Sequence, residues 1–178
     1  MESRFLLSNF NFEISLIKAA NIESGSNLTS SPNTSGKDVL GDGGFAECSG
    51  LEIQMDVQQI QEGGRNDGVI QQVGSAKYQN LVLKRGMFYN ADNKLAMDVW
   101  EWIQSVVSGS LPVTRYDGII KVYGHRKSPS KDAPIIATWA FDRALPTKVS
   151  GPSLNAKSGD VALEELHLAH EGLRMLFD

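Results

Sequence analysis

The amino-acid sequence predicts a mainly β protein in which two antiparallel sheets pack as a sandwich or barrel, with one α-helix against them. Apolar and polar residues alternate at 10–16 and again at 53–57, which is the pattern of a half-buried strand. A single segment, about 94–107, instead repeats its apolar residues at helical spacing. Strands that precede and follow one helix are typical of this architecture. The other β-prone runs are 69–73, 81–85, 119–123 and 135–141.

Size and composition fit one domain spanning residues 1–178. The chain is long enough to bury a core, and its hydrophobic content of 41% is ordinary for a globular protein. A net charge of -4 argues against general nucleic-acid binding, and the lone Cys48 cannot form an intramolecular disulfide. No apolar run approaches the roughly 20 residues that span a bilayer. We expect a soluble protein that is made in the cytoplasm and does not insert into membranes.

The helix predicted at about 94–107 has one apolar side and recognisable end signals. We expect Asp92 or Asn93 to cap its start, because their side chains accept hydrogen bonds from free backbone N–H groups. Gly109 is expected to end it, because glycine readily adopts the left-handed backbone of a helix terminus. The apolar stripe consists of Leu95, Val99, Ile103 and Val106, with Trp102 beside it.

A long polar segment at about 23–44 interrupts the strands. Serine, asparagine, glycine and proline are frequent in it, so we predict a surface loop inserted into the domain. Loops of this length inside compact domains are usually functional or flexible, and a partner could order this one.

Two other segments leave alternatives open. The strand at 52–61 changes its apolar side near Gln58 and Gln59, which indicates either a β-bulge there or a strand that serves two surfaces. At 161–177, leucine and glutamate favour a helix, whereas alternation at the start of the segment favours a strand. Local propensity alone favours the helix.

No catalytic or metal-binding pattern is complete in the sequence, so we predict a protein that is not an enzyme and needs no cofactor. His167 and His170 would face opposite sides of a strand, and their spacing differs from the His-Glu-x-x-His pattern of zinc enzymes. Cys48 has no histidine near it in the sequence and is interpreted as a small packed side chain. Lys84 and Arg85 are interpreted as solvated or intersubunit charges.

A series of short phrases, in order and at compatible spacings, resembles the tail tube family of contractile phages and extracellular contractile injection systems. Each phrase is weak alone, and together they extend from about residue 10 to residue 173. The phrases are Phe-Glu-Ile at 12–14, Cys-Ser-Gly-Leu-Glu at 48–52, Glu-Gly-Gly at 62–64, Leu-Val-Leu-Lys-Arg-Gly at 81–86, Trp-Glu-Trp at 100–102, Trp-Ala-Phe at 139–141, Pro-Thr-Lys at 146–148, Gly-Pro at 151–152 and Glu-Glu-Leu-His-Leu-Ala-His-Glu-Gly-Leu at 164–173.

The resemblance implies a structural subunit of a phage tail or a phage-tail-like particle. Such subunits pair their sheets into hexameric rings, which stack into an inner tube inside a contractile sheath above a baseplate. The resemblance also implies that the segment at 161–177 is a strand, against the local preference for helix. The insertion at 23–44 is longer than in most such proteins. It leaves two positions open for this subunit, the tube body or an initiator or adaptor ring at the baseplate.

Candidate surfaces follow from the resemblance, because a tube wall needs one packed side and one wet side. Polar, weakly charged side chains would coat the lumen, so that cargo or DNA passes without specific binding. From the pattern alone, the same positions are ordinary solvent-facing positions of a monomer. The candidate lumen residues are Gln54, Asp56, Gln58, Gln71 and Gln72. The candidate residues for contacts between rings or with partners are Asn27, Lys37, Asp38, Arg65 and Asn66.

A function of a different class stays open beside the tube subunit. The chain could be a monomeric β-sandwich module that binds a ligand through residues 23–44. Self-association separates the two hypotheses, because only the tube subunit requires it. An enzyme is the weakest hypothesis, since no nucleophile, acid–base pair or metal-ligand set is complete.

Overall fold

The computed structural model describes most of the chain as strands, with one helix among the described residues. It covers residue 7 and residues 11–19, 39–40, 44–64, 67–89, 96–124, 134–155, 157 and 159–176. The elements are β1 (Phe12–Lys18), β2 (Val39–Leu40), β3 (Phe45–Ser49), β4 (Ile53–Ile60), β5 (Ile70–Tyr78), β6 (Leu81–Gly86), α1 (Asp98–Val107), β7 (Tyr116–Tyr123), β8 (Ile135–Ser150), β9 (Leu163–Ala169) and β10 (Gly172–Leu176).

Two antiparallel sheets share the long strand β8. The first sheet has the order β2, β1, β7, β8, β10 and uses the N-terminal half of β8. The second sheet has the order β8, β9, β6, β3 and uses the C-terminal half. The strand bends between them at Arg143, whose φ of 53° is uncommon for a residue with a side chain. The predicted class, mainly β with antiparallel sheets and one helix, is confirmed.

The hydrophobic core lies between these two sheets. On β6 and β9 alternate residues are buried, as expected for strands with one face against a core. Phe141 of β8 lies at the centre, and an added Cβ at Gly118 would collide with its ring, so only glycine fits there. The core cluster draws on both sheets and includes Ile14, Leu16, Leu81, Leu83, Ile120, Phe141, Leu166 and Leu168.

The helix α1 begins later than the sequence predicts. It starts at Asp98 with Met97 at the N-cap, so the predicted caps Asp92 and Asn93 are wrong. Ahead of the helix, the backbone N–H of Ala96 donates to the Phe88 carbonyl at 2.9 Å, which ties this part of the chain to the residues after β6. The predicted end is confirmed, because Gly109 follows the helix with a φ of 73°.

The packed side of α1 is the predicted one. Val99 and Trp102 are buried against the sheets, and the Trp102 indole N–H donates to the Thr114 carbonyl at 2.9 Å. Leu95, the first residue of the predicted stripe, lies outside the described residues.

The segment at 161–177 forms two strands, so the helix that local propensity favours is wrong. β9 pairs with β6 on one side and with β8 on the other, and β10 pairs with β8. Pairing on both sides satisfies the backbone of β9 and buries Leu166 and Leu168, which outweighs a propensity difference of a few tenths of a kcal/mol per residue.

The predicted polar insertion at 23–44 contains a short strand near its end. Val39 and Leu40 form β2, which pairs with Ile17 and Leu16 of β1, and Leu40 is buried in the core. Leu40 is buried although the sequence on either side of β2 is polar. Residues 20–38 and 41–43 lie outside the described part of the chain.

Candidate functional site

The hairpin formed by β4 and β5 is the part of the described chain that is set apart from both sheets. Its two strands pair only with each other and form a separate two-stranded sheet. They continue the β3–β6 pair of the second sheet beyond Gly50 on one strand and Asn80 on the other. Gly50 has a φ of 89°, and an added Cβ would collide with the Asn80 carbonyl. The backbone therefore turns sharply where the hairpin leaves the sandwich.

One face of the hairpin is apolar and exposed. Residues that lie opposite each other in an antiparallel pair share a face, and the pairs here are Ile53 with Tyr78, Met55 with Ala76, and Val57 with Val73. Val57 is 60% exposed and Val73 is 75% exposed. Removing aliphatic side chains from water lowers the free energy, so a surface that covers this face would stabilise it.

The opposite face of the hairpin is mostly polar and contains four of the five candidate lumen residues, while the Ile60–Ile70 pair lies on it next to the loop. Gln54, Asp56, Gln58 and Gln72 share this face, and Asp56 forms an ion pair with Lys77 at 2.8 Å. Gln71, the fifth candidate, is paired with Gln59 and lies on the apolar face with Val57 and Val73.

A bulge in the hairpin keeps these two faces distinct, but it is not where the sequence places it. Gln58 and Gln59 pair regularly with Gln72 and Gln71, so the predicted bulge there is wrong. Ile60 therefore lies on the face opposite Val57, which agrees with the alternative of a strand that serves two surfaces. The register shifts instead around Asp56, which lies opposite two residues of β5, Gly74 and Ser75. An added Cβ at Gly74 would lie 2.9 Å from the Asp56 carbonyl oxygen, so the bulge needs glycine.

The candidate residues for contacts between rings or with partners fall outside the described residues. They are Asn27, Lys37, Asp38, Arg65 and Asn66. The last two belong to the loop between β4 and β5, whose neighbours Gly64 and Asp67 are described and exposed.

A buried ionic cluster joins α1 to the second sheet. Arg85 of β6 is 5% exposed and lies opposite Glu164 of β9, which is 2% exposed, and their side chains form an ion pair. The same guanidinium contacts Asp98 at 2.6 Å, and the Trp100 indole N–H donates to Glu164 at 3.0 Å. Burial disfavours the charge of Arg85, yet the hydrogen bonds to Asp98 and Glu164 outweigh it and raise its pKa above the ordinary value.

Sequence reasoning missed this cluster, although a signal for it was present. Arg85 was expected at the surface, but it is in phase with the buried Leu81 and Leu83 at a period of two. Glu164 is likewise in phase with Leu166 and Leu168. Two opposite charges in core phase on separate strands therefore indicate a buried pair, because a buried charge needs a partner.

A second ionic cluster holds the bend of β8 at the surface. Glu171 accepts hydrogen bonds from Arg115 and Arg143, each at 2.9 Å. The backbone N–H of Arg143 donates to Asp117 at 2.7 Å, and its carbonyl accepts from Arg115 at 3.1 Å. These contacts fix a backbone conformation that a residue with a Cβ seldom adopts.

Nucleophilic or metal chemistry finds little support among the described residues. Burial raises the pKa of the Cys48 thiol from 9.0 to about 11, which disfavours the reactive thiolate at neutral pH. His167 contacts Glu165 and, with nearby lysines, lowers the pKa of that carboxyl, whereas His170 hydrogen-bonds to the Gln79 carbonyl at 3.1 Å. Within the described ranges, no group of three potential ligands from His, Cys, Asp and Glu could hold a metal ion. No helix in this part of the chain is long and apolar enough to cross a bilayer.

Comparison with known proteins gives one family and several similar solved structures. The family model described as "T4-like virus tail tube protein gp19" matches residues 8–174. A chain in the sheath–tube complex of the PVC extracellular contractile injection system, in its extended state, superposes with a TM-score of 0.70. That chain is 20% identical, and the match covers 97% of this chain and 92% of that one.

Two further matches come from the anti-feeding prophage. A chain of its baseplate superposes with a TM-score of 0.66 at 20% identity and covers 99% of this chain and 97% of that one. A chain of its tube-terminating cap superposes with a TM-score of 0.70 at 19% identity and covers 100% and 95%. The superpositions establish a shared fold, and at identities this low they establish nothing beyond the fold. No curated protein matches the sequence.

Proposed function

Because the chain belongs to the T4-like virus tail tube protein family, we propose that it is a structural subunit whose hexameric rings stack into the inner tube of a phage tail or contractile injection system. The observation that carries this proposal is the exposed apolar face of the β4–β5 hairpin. A two-stranded ribbon in water is at best marginally stable, and this one also has two open edges among the described strands. A second copy of the chain would cover the face and pair an edge.

A ring closes this kind of contact without leaving an open end. In the proposed contact the hairpin face meets a different surface of the next subunit, so the contact is head to tail and repeats from one subunit to the next. If the rotation closes, every hairpin is covered and every open edge is paired, which removes the aggregation hazard of free strands.

The polar face of the hairpin is proposed to line the lumen. Gln54, Asp56, Gln58 and Gln72 share that face, and the Lys77 partner of Asp56 lowers its net charge. Apart from the Ile60–Ile70 pair next to the loop, this wall carries hydrogen-bonding groups and little net charge, which would let cargo or DNA pass without specific binding. Gln71 lies on the other face, so it is proposed as part of the contact between subunits.

The partners proposed for the tube are a sheath around it and a baseplate below it. The similar chain of the PVC system comes from a sheath–tube complex, and the resemblance in fold covers nearly the whole of both chains. An initiator or adaptor ring at the baseplate end is the second candidate, because a chain of the anti-feeding prophage baseplate is similar over almost its full length. In both cases the protein acts by assembly, without catalysis.

A charge placed on the apolar face tests the proposal. Val57→Lys should abolish ring formation by the purified protein, because six buried ammonium groups would be desolvated without partners. Gln58→Lys, one residue away on the polar face, is the matched control and should assemble as the wild type does. Sedimentation velocity and negative-stain electron microscopy would measure the outcome.

Two results would count against the proposal. A wild-type protein that stays monomeric at high concentration and shows no rings would favour the monomeric binding module. Rings that form equally well with Val57→Lys would keep the tube but move the contact between subunits away from the hairpin.

A further inference from the structure

We propose that His170 is a positioning residue that fixes the direction of the β4–β5 hairpin relative to the sandwich. The consequence for assembly rests on the proposed function, because the hairpin direction matters only if the hairpin contacts a second copy. The geometric part of the proposal concerns the single chain and can be tested on it alone.

The base of the hairpin has few contacts of its own to set its direction. The chain turns at Gly50, and the Glu52 N–H donates back to the Gly50 carbonyl at 2.7 Å. Across the hairpin, the Gln79 N–H reaches the Glu52 carbonyl at 3.4 Å, which is a long hydrogen bond. Beyond this point β4 and β5 pair only with each other among the described strands.

His170 connects this base to the core. Its Nε2 lies 3.1 Å from the Gln79 carbonyl oxygen, and since a carbonyl only accepts, Nε2 carries the proton and donates. The imidazole ring centroid lies 5.4 Å from that of Tyr78, the last residue of β5, and 6.0 Å from that of Phe141 at the centre of the core. One side chain thus contacts both the end of the hairpin and the interior of the sandwich.

The other ring nitrogen indicates that this contact is specific. With Nε2 protonated, Nδ1 is an acceptor, and it is buried without a hydrogen-bond partner among the described residues. An unsatisfied buried nitrogen costs free energy, so general packing would favour a ring without nitrogens at this position. The bond from Nε2 to Gln79 gives a reason for histidine here.

The residue that follows His170 makes its backbone a firm support. The Glu171 N–H donates to the Asp142 carbonyl at 3.0 Å, and its carboxylate holds Arg115 and Arg143 at the bend of β8. His170 and Glu171 therefore lie in one short turn that contacts the hairpin base on one side and the junction of the two sheets on the other. A side chain positions its partner well only when its own backbone is fixed.

The test uses two substitutions at His170 and a matched control. His170→Phe keeps a ring near Tyr78 and Phe141 but loses the donor, whereas His170→Gln keeps a donor near the Nε2 position and loses the ring. His167→Phe is the control, because His167 lies three residues earlier, on β9, and contacts Glu165 instead of the hairpin base. All three are made in the Val57→Lys background, so that assembly does not protect the hairpin.

Residue-resolved amide hydrogen exchange is the measurement. His170→Phe should speed exchange across β4, β5 and Gln79 roughly five-fold, the effect expected for one lost hydrogen bond, with less change in β6 and β9. His170→Gln should stay near the parent rate. Equal hairpin exchange in His170→Phe and His167→Phe would overturn the proposal, as would acceleration spread evenly over both sheets.

Assembly of the chain without the Val57→Lys change supplies the second readout. His170→Phe should raise the protein concentration needed for rings, and His170→Gln should restore it towards wild type. If the wild type forms no rings, the proposed function fails, yet the exchange experiment still decides the role of His170. If rings form but exchange is unchanged, the role of His170 fails and the proposed function stands.

Discussion

The sandwich and the β4–β5 hairpin have the same kinds of residues in the same alternating pattern, yet the apolar face is buried in the sandwich and exposed in the hairpin. Leu81 and Leu83 of β6 are at most 1% exposed, whereas Val57 and Val73 of the hairpin are more than half exposed. The two regions are continuous, since β3 leads into β4 and β5 into β6. The comparison teaches that alternation marks a face to be covered, without telling whether the cover comes from the same chain or from another.

The ion pairs of the two regions also differ in burial. In the sandwich, Arg85 and Glu164 are buried and joined to Asp98 and Trp100. In the hairpin, Asp56 and Lys77 form an ion pair with both side chains partly in water. Removing one partner should therefore be costly in the first region and nearly neutral in the second.

The largest effect that would test this difference is expected at Arg85. Arg85→Met leaves the Glu164 carboxylate buried without its cation, which should lower the free energy of unfolding by about 3–5 kcal/mol. Urea denaturation monitored by tryptophan fluorescence would measure it. Lys77→Met is the control in the hairpin and should cost about 0–1 kcal/mol. Similar losses in both variants would mean that the Arg85 cluster is open to water.

A truncation of matched aliphatic residues gives the next largest effect. Leu168→Ala creates a cavity in the core and should cost about 2–5 kcal/mol, because the removed atoms lose both transfer free energy and packing. Val57→Ala in the unassembled chain should cost less than about 0.5 kcal/mol, since its side chain is already in water. The same denaturation experiment measures both. A large loss for Val57→Ala at a concentration without rings would show that the hairpin face is covered within the single chain.

The smallest effect on stability, but a large effect on thiol reaction rate, is expected when Cys48 of the sandwich is compared with a thiol introduced into the hairpin. Cys48 of β3 has its pKa raised from 9.0 to about 11 by burial, so at pH 8 its thiolate fraction is about 100-fold lower than for an exposed thiol. Its reaction with a disulfide reagent should be slowed accordingly. A thiol introduced by Val57→Cys in a Cys48→Ala background should react fast in the unassembled chain and slowly in rings.

The same shift predicts how Cys48 affects stability with pH. The folded state binds the thiol proton more tightly than the unfolded chain, so stability from this group is complete below pH 9 and is lost as pH rises from 9 towards 11. Equal reaction rates for the two thiols, or no difference between wild type and Cys48→Ala in alkaline unfolding, would contradict the burial of Cys48.

Much of the fold follows from local pattern, and the errors have identifiable causes. The strand at 53–57 was predicted from its alternation, and those at 81–85 and 119–123 from short runs of β-prone residues, because both signals lie within one segment. The segment at 161–177 was not, because Leu and Glu favour helix locally while the pairing of β9 with two neighbours is a tertiary effect. The resemblance to the tail tube family did imply a strand at 161–177, where local propensity favoured a helix.

The candidate site shows the same division. Alternation predicted that Gln54, Asp56 and Gln58 share one face, and the register confirms that arrangement. Adjacent residues of a strand point to opposite faces, so the sequence already implied that Gln71 and Gln72 could not both share the face of Gln58. Which of the two does so depends on the bulge at Gly74 and Ser75, which local pattern did not predict. The role argued for His170 likewise depends on Gln79, 91 residues away in sequence, which no local pattern brings together.

The shared strand β8 has a mechanical consequence. Side-chain packing resists sliding of two packed sheets, and here 16 consecutive residues also belong first to one sheet and then to the other. A force that pulls the sheets past each other must therefore stretch covalent backbone at Arg143 and shear the hydrogen bonds of β7, β9 and β10 together. The protein is built so that load on one layer is carried by the other along a single continuous chain.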